Sequence, residues 1–154
     1  MYAIINKHSD RRFIKAQAKR DEAAFTKQIG IQQKALGSKK NEEAIAYFNA
    51  LISERAVPGL MKAYDADHRD PAKKLYINAL ARIGDSQATS ALMIVAVNEP
   101  NEDLRFAAIG HLRGKNNKDA VTYFVRRLTP KTSTNPEINN AAMALAEMVC
   151  GVAE

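Results

Sequence analysis

Tryptophan is absent from this sequence, and cysteine occurs once, as Cys150. A single cysteine excludes an internal disulfide and a zinc site built from several thiolates, and its apolar surroundings predict a small buried hydrophobe. No apolar run approaches the roughly 20 residues that a membrane-spanning helix needs. The opening MYAIINKHSDRR has only a short apolar patch before its charges begin, unlike a signal peptide. We therefore expect a soluble, cytoplasmic protein with no membrane partner.

Residues that favour β-strands are also scarce, with little clustering of Val, Ile and Thr. Alanine is abundant, and Leu, Lys, Glu and Gln accompany it, which favours helix over long windows. With 154 residues, of which 46% are hydrophobic, the chain is long enough to bury a core. The composition predicts an all-α protein that forms a single domain overall.

Acidic residues are few at the start of the chain. Residues 1–40 contain ten Lys or Arg against three Asp or Glu, so this quarter carries the whole net charge of +6. We predict a basic helix over residues 10–36. It carries an apolar stripe and candidate polyanion-binding cations. The stripe is Ile14, Ala18, Phe25, Ile29 and Leu36, and the cations are Arg11, Arg12, Lys15, Lys19, Arg20, Lys27 and Lys34.

Three roles are open for this helix. It can pack its stripe on the next helix and cap the fold with its charges solvated. It can bind nucleic acid or another acidic surface through residues 11–40. A role on a membrane surface is disfavoured by the small apolar residues and the lack of tryptophan.

A period of 32 residues runs through the rest of the chain. Shifting the sequence by this amount aligns Leu60, Leu92 and Phe124, and it also aligns Ile45, Ile77 and Ile109. Within one unit, the apolar positions 57, 60, 61 and 64, and then 76, 77, 80 and 83, have helical spacing. Helices this short are unstable alone, so a stack of helix pairs is predicted.

Proline and glycine mark the helix ends. Pro58 is placed in a first turn, Asp70 is predicted as an N-cap with Pro71 at the first helical position, and Gly84 as a left-handed C-terminal residue. The predicted helices are 10–36, 41–53, 56–66, 71–84, 87–98, 101–114, 118–129 and 136–149.

These units resemble HEAT repeats, in particular the short kind called phycobilisome-lyase HEAT-like. The residues that carry the resemblance are Ala56-Val57-Pro58-x-Leu60, Ala79-Leu80-Ala81-Arg82-Ile83-Gly84-Asp85, Leu104-Arg105-x-Ala107-Ala108 and Ala141-Ala142-x-Ala144-Leu145. The resemblance implies a right-handed α-solenoid of about three and a half helix pairs over residues 41–154, preceded by a basic extension or cap over residues 1–40.

The resemblance also implies a non-enzymatic scaffold that binds another protein on the inner face of the array. The candidate residues on that face are Lys74, Asn78, Arg82, Phe106 and Arg113. Phe106 stands in a column otherwise occupied by charged residues, so it is predicted either to anchor a partner or to turn into the core. An accessory subunit of a bilin-lyase-like enzyme is a further implied role.

Arg105 occupies a basic position that aligns with Lys73. It is predicted to pair with an acidic residue such as Asp67 or Glu99 at the end of a preceding helix, as in an inter-repeat ladder, or to add to a cationic row on the inner face.

Sites for catalysis, metals or cofactors are not indicated. Asp65, Asp67 and Asp70 alternate as in a calcium loop, but the glycine and distal glutamate of that loop are missing. The sequence contains no serine elbow and no phosphate-binding glycine loop. We therefore expect no enzyme activity and no cofactor, and we expect these aspartates to serve as caps and ladder partners.

The carboxy-terminal helix, predicted over residues 136–149, leaves apolar positions without a following repeat. Arrays of this kind need covered ends. We expect either self-association through this helix or continuation of the chain in a longer protein.

Overall fold

A computed structural model describes residues 6–113 and 117–150, and it describes side chains from residue 10 onward except that of residue 117. Within these ranges the protein is all-α, with eight α-helices and no strand. The helices are α1 (Asn6–Ala35), α2 (Asn41–Ala50), α3 (Val57–Ala66), α4 (Asp70–Ile83), α5 (Ser86–Asn98), α6 (Glu102–Arg113), α7 (Asn117–Arg127) and α8 (Asn135–Cys150).

The predicted helices are present, and the boundaries differ by a few residues. α2 ends at Ala50, three residues earlier than predicted, and a short 3-10 turn at Glu54–Ala56 leads into α3. Ser53 caps this turn, because its hydroxyl accepts a hydrogen bond from the Arg55 N–H at 3.3 Å.

The break between α4 and α5 follows the predicted chemistry. Gly84 has φ 64°, a left-handed conformation that favours glycine, and its N–H donates to the Leu80 carbonyl. Asp85 then caps α5 by accepting a hydrogen bond from the Ala88 N–H at 2.8 Å.

The prediction for Asp70 is wrong. Asp70 is the first residue of α4 rather than its N-cap, and Arg69 occupies the cap position without a capping side-chain bond. The Asp70 carboxylate accepts a hydrogen bond from Asn101 Nδ2 at 2.8 Å instead, so it links the starts of α4 and α6.

Most helices pack on the neighbours one and two places away along the chain. α3 lies against α1 and α4, α2 lies against α4, and α4 lies against α5 and α6. The columns of the 32-residue period form the core, since Leu60, Ile77, Leu80 and Phe124 are fully buried. Ring contacts add to this core. The rings of Phe48 and Tyr76 meet edge-on with centroids 5.1 Å apart.

The carboxy-terminal helix departs from this pattern. α8 packs on α7 and on α5, three helices back, and Asn140 Nδ2 donates to the Val97 carbonyl at 2.7 Å. It buries Ala141, Ala144 and Met148 in doing so. Cys150, predicted to be buried, is exposed at the end of α8, because its position on the helix lies away from this contact.

Candidate binding surfaces

Two buried carboxylates, 32 residues apart, organise the turns between helices. Asp67 follows α3 and is buried. It accepts hydrogen bonds from the Arg69 side chain at 2.9 Å, from the Tyr76 hydroxyl at 2.8 Å and from Gln33 Nε2 at 3.3 Å. Burial alone would raise the pKa of this carboxyl, but hydrogen bonds from Arg69, Tyr76 and Gln33 hold the pKa well below its usual range.

Glu99 occupies the equivalent place after α5. It accepts from the Asn101 N–H, as Asp67 accepts from the Arg69 N–H. Its carboxylate also forms an ion pair with Lys73 Nζ at 3.1 Å and accepts a hydrogen bond from the Tyr64 hydroxyl. Burial opposes ionisation of Glu99, and these donors outweigh it and lower the pKa of the carboxyl. The tyrosine pKa shifts upward through burial and then through its bond to Glu99.

The ladder prediction needs one correction. The Glu99 carboxylate is contacted by Lys73, the residue with which Arg105 aligns. Arg105 binds no carboxylate among the described residues. Its Nη1 instead donates to the backbone carbonyls of Glu99 at 2.7 Å and Pro100 at 2.9 Å. Arg105 therefore closes the same turn from its other side, and the aspartates and glutamate of these turns act as structural acceptors.

The five residues predicted for the inner face lie on α4 and α6, and neighbouring helices engage most of them. Arg82 Nη1 donates to the Phe48 carbonyl at 3.0 Å, at the end of α2. Asn78 Oδ1 lies 3.0 Å from His111 Nε2. Arg113 lies 3.6 Å from Glu147 of α8. This surface is thus held together internally by polar contacts between α2, α4, α6 and α8.

Lys74 and Phe106 are the remaining members. Lys74 is exposed on α4, while Phe106 is half-buried and packs against the core from α6. Of the two roles predicted for Phe106, the structure shows the core contact, with part of the ring still accessible.

Only one half of the α1 stripe is covered by other helices. Ile29 and Leu36 are buried and Phe25 packs against the core, where α1 lies on α3, α2 and the turn before α3. Ile14, in contrast, is 60% exposed. The expected packing on α2 exists, but α3 provides the larger contact.

The amino-terminal half of α1 extends beyond the helices on which it packs. Between residues 10 and 20 every side chain is exposed except the half-buried Ala18. Phe13 is 66% exposed within this segment, directly after Arg11 and Arg12 and two residues before Lys15. At 1.5 Å per residue the extension is about 16 Å long.

All seven candidate cations of α1 are exposed, and none forms an ion pair with another described residue. At 3.6 residues per turn they cover about half of the helix circumference. The intervening acids are few, and Asp21 accepts a hydrogen bond from Gln17 at 3.1 Å. The result is a predominantly positive surface along α1, interrupted by Asp21 and Glu22.

A groove of about 580 Å³ runs between α1 and α3. Ile29, Gly30 and Ala63 form part of its floor, and Lys27, Lys34 and Lys62 stand around it. No Asp or Glu lines it. The helices approach closely beside it at Gly59, where an added Cβ would lie 2.9 Å from Ile29 Cδ1.

Sequence reasoning missed two of these residues. Lys62 belongs to α3, and only the packing of α3 on α1 brings it beside Lys27 and Lys34. Gly30 interrupts α1 without a turn to explain it, which is the signal that could have marked the groove.

Among residues 6–113 and 117–150, no group of three His, Cys, Asp or Glu side chains is arranged to hold a metal ion. None of the described helices combines the length and apolar character required to cross a bilayer.

Comparison of the chain with protein-family models, with curated proteins and with solved structures finds no match in any of the three. The resemblance to HEAT repeats therefore rests on the residues quoted above and stays a prediction.

Proposed function

We propose that this protein is a non-enzymatic binding module that engages an anionic macromolecule through the basic surface of α1. One observation carries the proposal: seven exposed cations lie on one helix and form no ion pair among the described residues. Cations that stabilise a fold are normally close to carboxylates, whereas unpaired cations in a row attract an external polyanion.

The position of α1 supports the same choice of surface. Residues 10–17 of α1 are exposed, so a partner can reach Arg11, Arg12 and Lys15 from several sides. The rival inner face is less favourable, because Arg82 and Asn78 already bond to neighbouring helices. A partner there would have to replace existing hydrogen bonds.

We further propose that α2–α8 form a HEAT-like right-handed solenoid that serves as the scaffold for α1. Support comes from the packing of helices one and two places apart. The equivalent turns at Asp67 and Glu99, with acceptors spaced 32 residues apart, add to it. In such arrays each unit is stable only against its neighbours, which would hold α1 in a defined orientation.

The test is binding of two polyanions, a fluorescein-labelled 20-nucleotide single strand and polyglutamate, followed by anisotropy at ~50 mM salt. Replacing Arg11, Arg12 and Lys15 by Gln should weaken binding of the oligonucleotide at least tenfold. The dependence of log K on log salt should become shallower by up to about 2, since each phosphate contact contributes about 0.7.

The matched control removes the same charge elsewhere, by replacing the exposed Lys118, Arg126 and Lys131 with Gln. We expect less than a threefold change, because net charge alone acts weakly at screened distances. Equal losses in both variants, or no binding of either polyanion by the wild type, would contradict the proposal.

The inner face remains a second candidate for binding another protein. Lys74 is exposed there, and part of the Phe106 ring is accessible. The accessory bilin-lyase role predicted from the resemblance has no further support from the described residues.

A further inference from the structure

The groove between α1 and α3 combines an apolar floor with a positive rim. Its lining includes the small residues Ala23, Ala63 and Ala66, of which Ala63 is buried, while the exposed side chain of Ile31 stands at the edge. Three lysines surround it and no carboxylate lines it. A simple structural contact between two helices would close such a space with larger side chains.

Gly30 is the feature that the fold itself does not explain. It lies in the interior of α1, where glycine is less favourable than alanine. Its φ is not in the left-handed range, and an added Cβ would meet no atom within 4 Å. The missing side chain instead keeps the groove floor open, which lets another backbone approach closely.

We propose that this groove receives an amphipathic helix of a partner protein. The apolar side chains of that helix lie on the floor beside Gly30, and its acidic side chains meet Lys27, Lys34 and Lys62. The inference rests on the proposed function, since it assigns a protein as the anionic partner of α1.

The spacing of the lysines fits a helical occupant. Lys27 and Lys34 are seven residues apart on one helix, which places them two turns or about 10 Å from each other. A partner helix lying along α1 presents acidic residues at the same spacing, and Lys62 binds from the opposite wall.

Two other occupants fit less well. A phosphate chain would lose hydration over Ile29, Ala63 and Ala66, which offer no donors because helix amides are already bonded. A second copy of this chain fits less well through α8, because that helix carries only two acidic residues, Glu137 and Glu147, and Glu147 already lies beside Arg113.

The experiment uses the full chain and two synthetic 21-residue peptides of identical composition. In the first, Leu at helical spacing forms one stripe flanked by Glu seven residues apart. The second is scrambled, so it keeps the charge and loses the stripe. We expect the striped peptide to bind at least tenfold more tightly by anisotropy.

Variants locate the site. Gly30→Leu fills the floor of the groove and should lower the affinity for the striped peptide at least tenfold. The melting temperature of the protein should not fall, because leucine is a better helix former than glycine. The control, Gly110→Leu, changes an exposed glycine within α6 that also has no atom within 4 Å of an added Cβ, and it should leave binding unchanged. If Gly30→Leu melts lower, Lys62→Glu on α3 provides the same test without filling the groove.

The outcomes separate the two proposals. Equal affinity for the two peptides would overturn the proposal that the groove binds a helix. Unchanged peptide binding by both Gly30→Leu and Lys62→Glu would overturn it as well. The oligonucleotide could bind while both variants leave peptide binding unchanged and the two peptides bind equally well. Nucleic acid is then the partner, and only this inference fails. Failure of the oligonucleotide, polyglutamate and both peptides to bind at low salt overturns the proposed function as well.

Discussion

Asp67 illustrates how single side chains hold the turns of this protein. It is buried with donors from three different places in the chain, namely Gln33 at the end of α1, Arg69 in the turn and Tyr76 in α4. Removing one partner of such a network leaves the others desolvated and unpaired, which costs more than the bond itself gains. The carboxylate is therefore a fixed part of the architecture and is not available as a ligand or catalyst.

The first prediction concerns the charge of Asp67. Its pKa is lowered in the folded state, so the stability it contributes is present above the unfolded pKa of about 4 and is lost as pH falls from about 5 downward. Asp67→Asn should lower the free energy of unfolding by about 2–3 kcal/mol at pH 7, and the difference from wild type should shrink toward pH 3.

Urea titrations between pH 3 and pH 7 measure this. The control is Asp65→Asn, an exposed position in the last turn of α3, which should change stability by less than about 0.5 kcal/mol. A constant difference between Asp67→Asn and wild type across this range would mean that the lost stability is not electrostatic.

At the scale of elements, the packing of α1 on α3 depends on one close approach. An added Cβ at Gly59 would lie 3.0 Å from the Thr26 Cα, and backbone cannot move aside as a flexible side-chain tip can. Gly30, one turn from Thr26 on α1, has open space in the same position. The two glycines thus serve different purposes at one helix pair.

The second prediction follows from this contrast. Gly59→Ala should destabilise the protein by about 1–3 kcal/mol, because α1 must shift away from α3. Gly30→Ala should stabilise it by roughly 0.5–1 kcal/mol, because alanine is the better helix former. Chemical denaturation of both variants beside wild type measures the two values, and changes of the same sign would refute the assigned geometry.

At the scale of the whole molecule, stability is distributed unevenly. The centre, where α4 packs on α2, α3, α5 and α6, contains fully buried Tyr76, Ile77 and Leu80. Residues 10–20 of α1 bury almost nothing. A helix without tertiary contacts opens at little cost, even when it continues into a packed one.

The third prediction is a gradient of amide exchange. Amides of residues 12–20 should exchange at least a hundredfold faster than those of 29–35 in the same helix, with α4 the slowest. Hydrogen exchange with mass spectrometry measures this, and intrinsic rates calculated for each peptide provide the correction. Uniform protection along α1 would show that its first turns are covered in solution, as by self-association.

The striped peptide should slow exchange near Gly30 if the groove is its site.

The local structure of this protein could be predicted from its residues alone. Helical spacing, the 32-residue period, Pro58 and Gly84 depend on neighbouring residues and on backbone conformation, so they predicted eight helices with ends correct within a few residues. The exposed cations of α1 were also predictable, because charged residues outside a core remain in water.

The contacts of each side chain, in contrast, depend on how the helices pack. The tertiary structure placed α8 on α5, turned Arg105 to carbonyls instead of a carboxylate, and left Cys150 exposed. It also placed Lys62 opposite Lys27, since residues 35 positions apart become neighbours only when α3 packs on α1. The period predicts which faces are apolar, while the crossing of the helices determines which of those faces are covered and where a groove remains.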